Sequence, residues 1–94
     1  MHDLTAFQRD LLYVIGGSDE LYGLAVKREL ESYYEDEINH GRLYPNLDTL
    51  VEKGLVDKGR LDDRTNSYTL TRRGKQELEA RRNWEHQYID LSDR

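Results

Sequence analysis

The apolar residues of this chain change period at Gly54, and that change limits the folds open to it more than any other feature. Before Gly54 they recur at helical spacing in three short runs; after it they alternate around a turn-forming cluster. In the first run, Thr5 with Gln8 three positions later reads as a capping box. Leu4, Leu11, Leu12 and Ile15 then recur at helical spacing until Gly16-Gly17 stops the helix. A second helix is predicted over about 22–34, with Val26, Leu30 and Tyr33 on one face and the acidic stretch Glu35-Asp36-Glu37 beyond it. Leu43, Leu47, Leu50 and Val51 mark a third, stopped by Gly54. Pro45 is expected in or near its first turn, because proline deeper in a helix removes a hydrogen bond and clashes with the preceding turn.

Leu55-Val56 opens an extended stretch, residues 62–66 supply turn chemistry, and Tyr68-Thr69-Leu70 returns as a second strand. Thr71 is the expected N-cap of a last helix running past Trp84 and Tyr88 toward Leu91, a rod of roughly 30 Å at 1.5 Å per residue. The order helix, helix, helix, hairpin, helix describes a mainly α chain with a small β-hairpin. That is the order of a winged helix-turn-helix: three helices, a two-stranded wing and a long C-terminal helix.

A chain of 94 residues encloses one hydrophobic core, so residues 1–94 are expected to form a single domain. Within it, 1–70 are the core, with the wing at about 55–70, and 71–91 a dimerisation helix. Charged residues make up 35% and hydrophobic ones 36%, so the apolar side chains must be gathered on single faces. Leu78, Arg81, Trp84, Tyr88 and Leu91 share one stripe of the last helix, longer than so small a domain covers alone; this points to a second copy of the chain. The alternative is that Trp84 covers the protomer's own core.

Cysteine is absent and Met1 is the one methionine, which excludes disulfides, thiolate metal sites and a thiol switch. His2, His40 and His86 are too dispersed for a ligand pair. No nucleophile stands with a base and no glycine loop is built to cradle phosphate, so neither an enzyme nor a cofactor or metal is expected. The longest apolar run, Leu11 to Ile15, is far short of a membrane span, and the first residues lack a basic-then-apolar leader; a cytoplasmic protein is expected.

The net charge of −5 is unevenly spread. Residues 1–38 hold three basic side chains against nine acidic ones, whereas 58–75 hold six (Lys58, Arg60, Arg64, Arg72, Arg73 and Lys75) against Asp62 and Asp63. An acidic back with one basic working face suits a polyanion, and the basic cluster falls where a wing meets phosphates. Double-stranded DNA is the expected partner. Arg60, Arg64, Thr65 and Asn66 are candidates for phosphate or minor-groove contact, and Arg72 and Arg73 for clamping the backbone from the last helix's N-terminus. Asn39, His40, Arg42, Tyr44, Asn46 and Thr49 are the polar positions from which the third helix can reach base edges. Arg42 on guanine and Asn46 on adenine could each bond bidentately, worth about 1–3 kcal/mol of discrimination. Arg42 touching only phosphate, and Tyr44 packing on the first helix, stay open as alternatives.

Four segments together resemble the PadR family over most of the chain: Tyr22-Gly23; Gly41-Arg42-Leu43-Tyr44-Pro45-Asn46-Leu47; Leu50-Val51-Glu52-Lys53-Gly54-Leu55-Val56; and Tyr68-Thr69-Leu70-Thr71-Arg72-Arg73-Gly74. The resemblance implies a winged-helix homodimer held by its N- and C-terminal helices, Leu4, Phe7 and Leu11 of the first joining Leu78, Arg81, Trp84, Tyr88 and Leu91 of the last. It implies a transcriptional regulator, usually a repressor, covering a pseudo-palindromic operator. The chain is more acidic than most members. Its ten arginines against four lysines make it similar to haloarchaeal members that serve the oxidative-stress response. In concentrated salt such a protein is expected to bind DNA with cations between its carboxylates and the phosphates. The rival expectation is a protein-interaction module of a larger complex that does not bind DNA.

Overall fold

Helix α1 (Ala6–Gly16) begins at the reciprocal cap its sequence announces: Thr5 Oγ1 accepts from the Gln8 backbone N–H, and Gln8 Oε1 accepts from the Thr5 N–H, both at 3.1 Å. The structure, a computed structural model, describes residues 1–18 and 21–89, so Leu91 lies outside the described residues. After α1 come strand β1 (Leu21–Tyr22), α2 (Gly23–Tyr34), α3 (His40–Glu52), strands β2 (Val56–Arg60) and β3 (Asn66–Leu70), and α4 (Arg72–His86). The strands form an antiparallel sheet in the order β1-β3-β2, with Leu21 opposite Tyr68 and Val56 opposite Leu70. The hairpin is the one the sequence predicts. Strand β1 is not predicted, since its two residues are too few to show a period.

Helix α1 runs through the middle of the core, where Leu11, Leu12 and Ile15 are fully buried against Val26 and Leu30 of α2, Leu43, Leu47 and Leu50 of α3, and Tyr68 of β3. Leu4, Phe7 and Leu11, named above for a dimer interface, are spent on this core. A residue that its own protomer encloses has no surface left to offer a second copy.

Three further expectations are corrected. Tyr33 is 78% exposed, and Tyr34 turns inward instead, four residues after Leu30, to face Phe7 and hydrogen-bond Asp10. Helix α3 starts at His40, five residues before Pro45, because Asn39 caps it: its Oδ1 accepts from the Arg42 N–H at 2.8 Å. Pro45 therefore sits in the second turn, where it has no N–H for the Gly41 carbonyl; Gly41 is exposed, which leaves that carbonyl to solvent. Helix α4 ends at His86, about 22 Å long rather than 30, and Tyr88 lies in the turn beyond it.

The end of α3 is a Schellman turn. Gly54 takes φ +76°, its N–H bonds the Val51 carbonyl at 3.0 Å, and the Leu55 N–H bonds the Leu50 carbonyl at 3.1 Å. Thr71 locks the next helix to this turn. Its N–H bonds the Leu55 carbonyl, its hydroxyl donates to the Gly54 carbonyl at 2.8 Å, and the same oxygen accepts from the Gly74 N–H as the N-cap of α4.

Candidate nucleic-acid interface

Burial of Leu43, Leu47 and Leu50 fixes which way α3 faces: helical spacing turns Gly41, Pro45, Asp48 and Glu52 outward, with Arg42 and Thr49 on one flank and Tyr44 on the other. Two side chains set its position against the rest of the fold. Gln8, having closed the α1 cap, donates from Nε2 to Asn46 Oδ1 at 2.9 Å, and Asn46 Nδ2 in turn donates to the Arg42 carbonyl at 2.7 Å. Asn46 thus spends one acceptor site of its Oδ1 and one hydrogen of its Nδ2 within the protein, on both of the polar ends that a bidentate adenine contact needs. The structure gives it a positioning role between α1 and α3. Gln8 was legible in the sequence only as a capping residue; nothing in the spacing of residues 8 and 46 signals their bond.

Arg42 folds its guanidinium over the Phe7 ring, 3.9 Å from the centroid, so this side chain covers an aromatic face of α1 rather than standing free. Asn39 is the N-cap, and the Thr49 hydroxyl donates to the Pro45 carbonyl at 3.0 Å. His40 is exposed and meets the Tyr44 ring edge-on at 5.6 Å. Tyr44 packs over the start of α2. A Cβ on Gly23 would lie 2.8 Å from its ring, closer than real side chains approach, which explains the glycine after Tyr22. Packing is thus the role seen for Tyr44, against the core and the start of α2.

In the wing, Arg60 and Asn66 are paired at the outer end of the hairpin. The connecting loop closes with a bond from the Leu61 N–H to the Thr65 carbonyl at 2.9 Å, while Asp62 Oδ1 accepts from the N–H groups of Arg64 and Thr65. Those donors, Arg64's N–H foremost, hold the Asp62 carboxyl below the usual carboxylate range, so it stays ionised as the hub of the turn. Arg64 is left exposed at the tip. A cleft of about 470 Å³ lies between it and the start of α2, walled by Tyr22, Leu24, Tyr44 and Leu61.

Arg72 and Arg73 open α4 at the other end of β3, roughly 17 Å of strand away from the wing tip at about 3.3 Å per residue. Among the described residues, Arg60, Arg64, Arg72 and Arg73 have no carboxylate partner, and neither do Arg9, Arg28, Arg42, Arg82 and Lys75; what sets the four apart is that they fall together on the wing and the start of α4. The first turn of α4 contains no acidic residue, so Arg72 and Arg73 add positive charge to the positive end of a helix dipole. No group of histidine and acidic side chains converges as metal ligands among the described residues.

On α4, Leu78 is half-buried against the core, and Arg81 reaches both Glu85, at 3.4 Å, and the Trp84 ring, at 4.6 Å. Trp84 stands 47% exposed and Tyr88 69%, their rings edge to face at 5.1 Å. Trp84 therefore does not cover the protomer's own core.

A helical core with an outward-facing third helix and an antiparallel wing carrying unpaired arginines defines a winged-helix protein. The chain belongs to the transcriptional regulator PadR-like family, whose profile matches residues 11–80. It is similar to H. salinarum RosR. The match to the hsRosR-S1 complex is 53% identical with a TM-score of 0.89, covering 98% of this chain and 82% of that one. RosR crystals grown from NaBr give 53% identity and a TM-score of 0.87, over 97% and 83% of the two chains. Reduced AbfR bound to DNA shares the fold at 22% identity, with a TM-score of 0.79 over 98% of this chain and 64% of that one. No curated protein matches the chain.

Proposed function

We propose that this regulator binds operator DNA as a homodimer, with α3 in the major groove and the wing and the start of α4 on the phosphate backbone. The observation that carries this reading is the clustering of four arginines without acidic partners on the wing and the start of α4, in a chain whose acids outnumber its bases by five. Water solvates an unpaired guanidinium well, but four of them along one hairpin and helix start, two against a helix dipole, form a local charge conflict that phosphates relieve. Two copies joined through α4 would set the two α3 helices about 34 Å apart, one turn of B-DNA, on a pseudo-palindromic site.

Repression, an oxidative-stress role, a cytoplasmic location and uptake of cations at the DNA interface are part of the same reading. With no cysteine in the chain, an oxidative signal has to act through some other chemistry. Mobility shifts with the upstream region of its own gene test the reading. Replacing Arg64 and Arg72 by alanine together is expected to weaken binding to all sequences and to shift the slope of log affinity against log salt concentration in the positive direction, by about one unit for each phosphate no longer neutralised. Unchanged affinity and slope in the double variant would sink the assigned surface.

A further inference from the structure

The outward face of α3 carries one ion pair with no part in the packing just described. Asp48 lies one turn after Tyr44 and one before Glu52, and Lys58 reaches across from β2 to place its Nζ 3.4 Å from Asp48 Oδ1. The Asp48 side chain is 53% exposed. Around it Asn39 Oδ1 is taken by the helix cap, Asn46 by Gln8 and the Arg42 carbonyl and the Thr49 hydroxyl by the Pro45 carbonyl, while Arg42 lies over the face of Phe7 and His40 stays exposed. A lone carboxylate between two phosphate chains would be repelled. Lys58 cancels that charge and leaves the second carboxylate oxygen open.

We propose that Asp48 and Lys58 together read a cytosine–guanine pair in the major groove, Asp48 accepting from the cytosine N4 amino group and Lys58 donating to guanine O6 or N7 of the same or the next pair. This rests on the reading that α3 enters the groove. The choice of base follows from the edges the four bases show. Guanine presents two acceptors, thymine an acceptor and a methyl group, and adenine a donor beside an acceptor. Cytosine presents a donor with no acceptor on its own edge, and its partner guanine supplies the acceptors an ammonium needs.

Selection of binding sites by the full-length chain from a randomised duplex library tests the assignment, with Asp48→Ala and Asp48→Asn run beside the unaltered protein. The unaltered chain is expected to enrich cytosine at one position in each repeat of its site, with discrimination against thymine there of about tenfold or more. In Asp48→Ala that position becomes degenerate while the others keep their bases; in Asp48→Asn it moves to adenine, whose donor and acceptor suit an amide. Thermal melts of the variants confirm that an exposed substitution has left the fold intact. An Asp48→Ala consensus identical at every position overturns the proposal, including the case in which affinity simply rises everywhere because Asp48 only repels phosphate. If the unaltered chain enriches no sequence at all, the DNA-binding reading falls with it, which separates the two failures.

Discussion

Gln8 joins two helices through one side chain: its Oε1 closes the cap of α1 and its Nε2 holds Asn46 on α3. Removing either partner leaves the other's polar group short of a bond in a place water reaches poorly. Gln8→Ala and Asn46→Ala are each expected to cost about 1–2 kcal/mol in denaturant unfolding. Because they share a bond, the double variant should cost less than the two losses added together; strict additivity would show that the bond does not couple the helices. The tyrosines offer a second test at this scale. Tyr34 is pushed up to about 12 by burial and by its bond to Asp10, and Tyr68 to about 12 by burial and the nearby Asp48 carboxylate. Both hold their protons more tightly folded than unfolded, where the value is about 10. Their contribution to stability is therefore complete below pH 10 and disappears as pH rises toward 12. A phenolate absorbance titration should show Tyr34 and Tyr68 among the last of the seven tyrosines to ionise, with Tyr13 also delayed by burial, together with a falling melting temperature across that interval.

At the scale of elements, the C-terminal turn of α3 and the N-cap of α4 behave as one joint. The Schellman turn at Gly54 presents its carbonyl to the Thr71 hydroxyl, and the same hydroxyl caps α4, so α3 and the arginines of α4 are held at a set angle. Thr71→Ala removes both bonds and is expected to cost about 1–2 kcal/mol in thermal or denaturant unfolding. Thr71→Ser keeps the oxygen and should recover most of that loss. If serine is as harmful as alanine, the hydroxyl is not the cause. The wing is a lighter element. Its loop is held by Asp62 and its only extra strand neighbour among the described residues is the two-residue β1, which pairs with β3 and ties the hairpin to the start of α2.

For the whole molecule, α4 presents more apolar surface than the protomer uses. Trp84, Tyr88 and Ile89 are each about half exposed or more, and Gly74 is the one buried residue in the helix itself. Single exposed apolar residues are ordinary, but adjoining aromatic rings at the end of one helix suit burial by a partner. Under the homodimer reading, the Trp84→Ala, Tyr88→Ala double variant is expected to weaken self-association by at least about thirtyfold, the effect of one hot-spot side chain. Protomer stability should hardly move, since neither ring is enclosed by its own fold. Sedimentation equilibrium reads the first quantity and circular dichroism melting the second; an unchanged association constant would place the interface elsewhere.

What the sequence determined alone was local. The caps at Thr5 and Thr71, the stops at Gly17 and Gly54, the turn built on Asp62 and the change from helical to alternating period were all legible, because each is written in residues no more than about four apart. Tertiary structure decided what the polar side chains of α3 do. Asn46 meets a residue 38 positions away, Arg42 finds the ring of Phe7, and Asp48 is reached by Lys58 from a strand. It also turned Leu4, Phe7 and Leu11 inward and chose Tyr34 over Tyr33. Spacing along the chain tells which face of an element is apolar, but how that face is rotated against its neighbours depends on the packing of all the elements together, and with it the atoms left free to meet DNA.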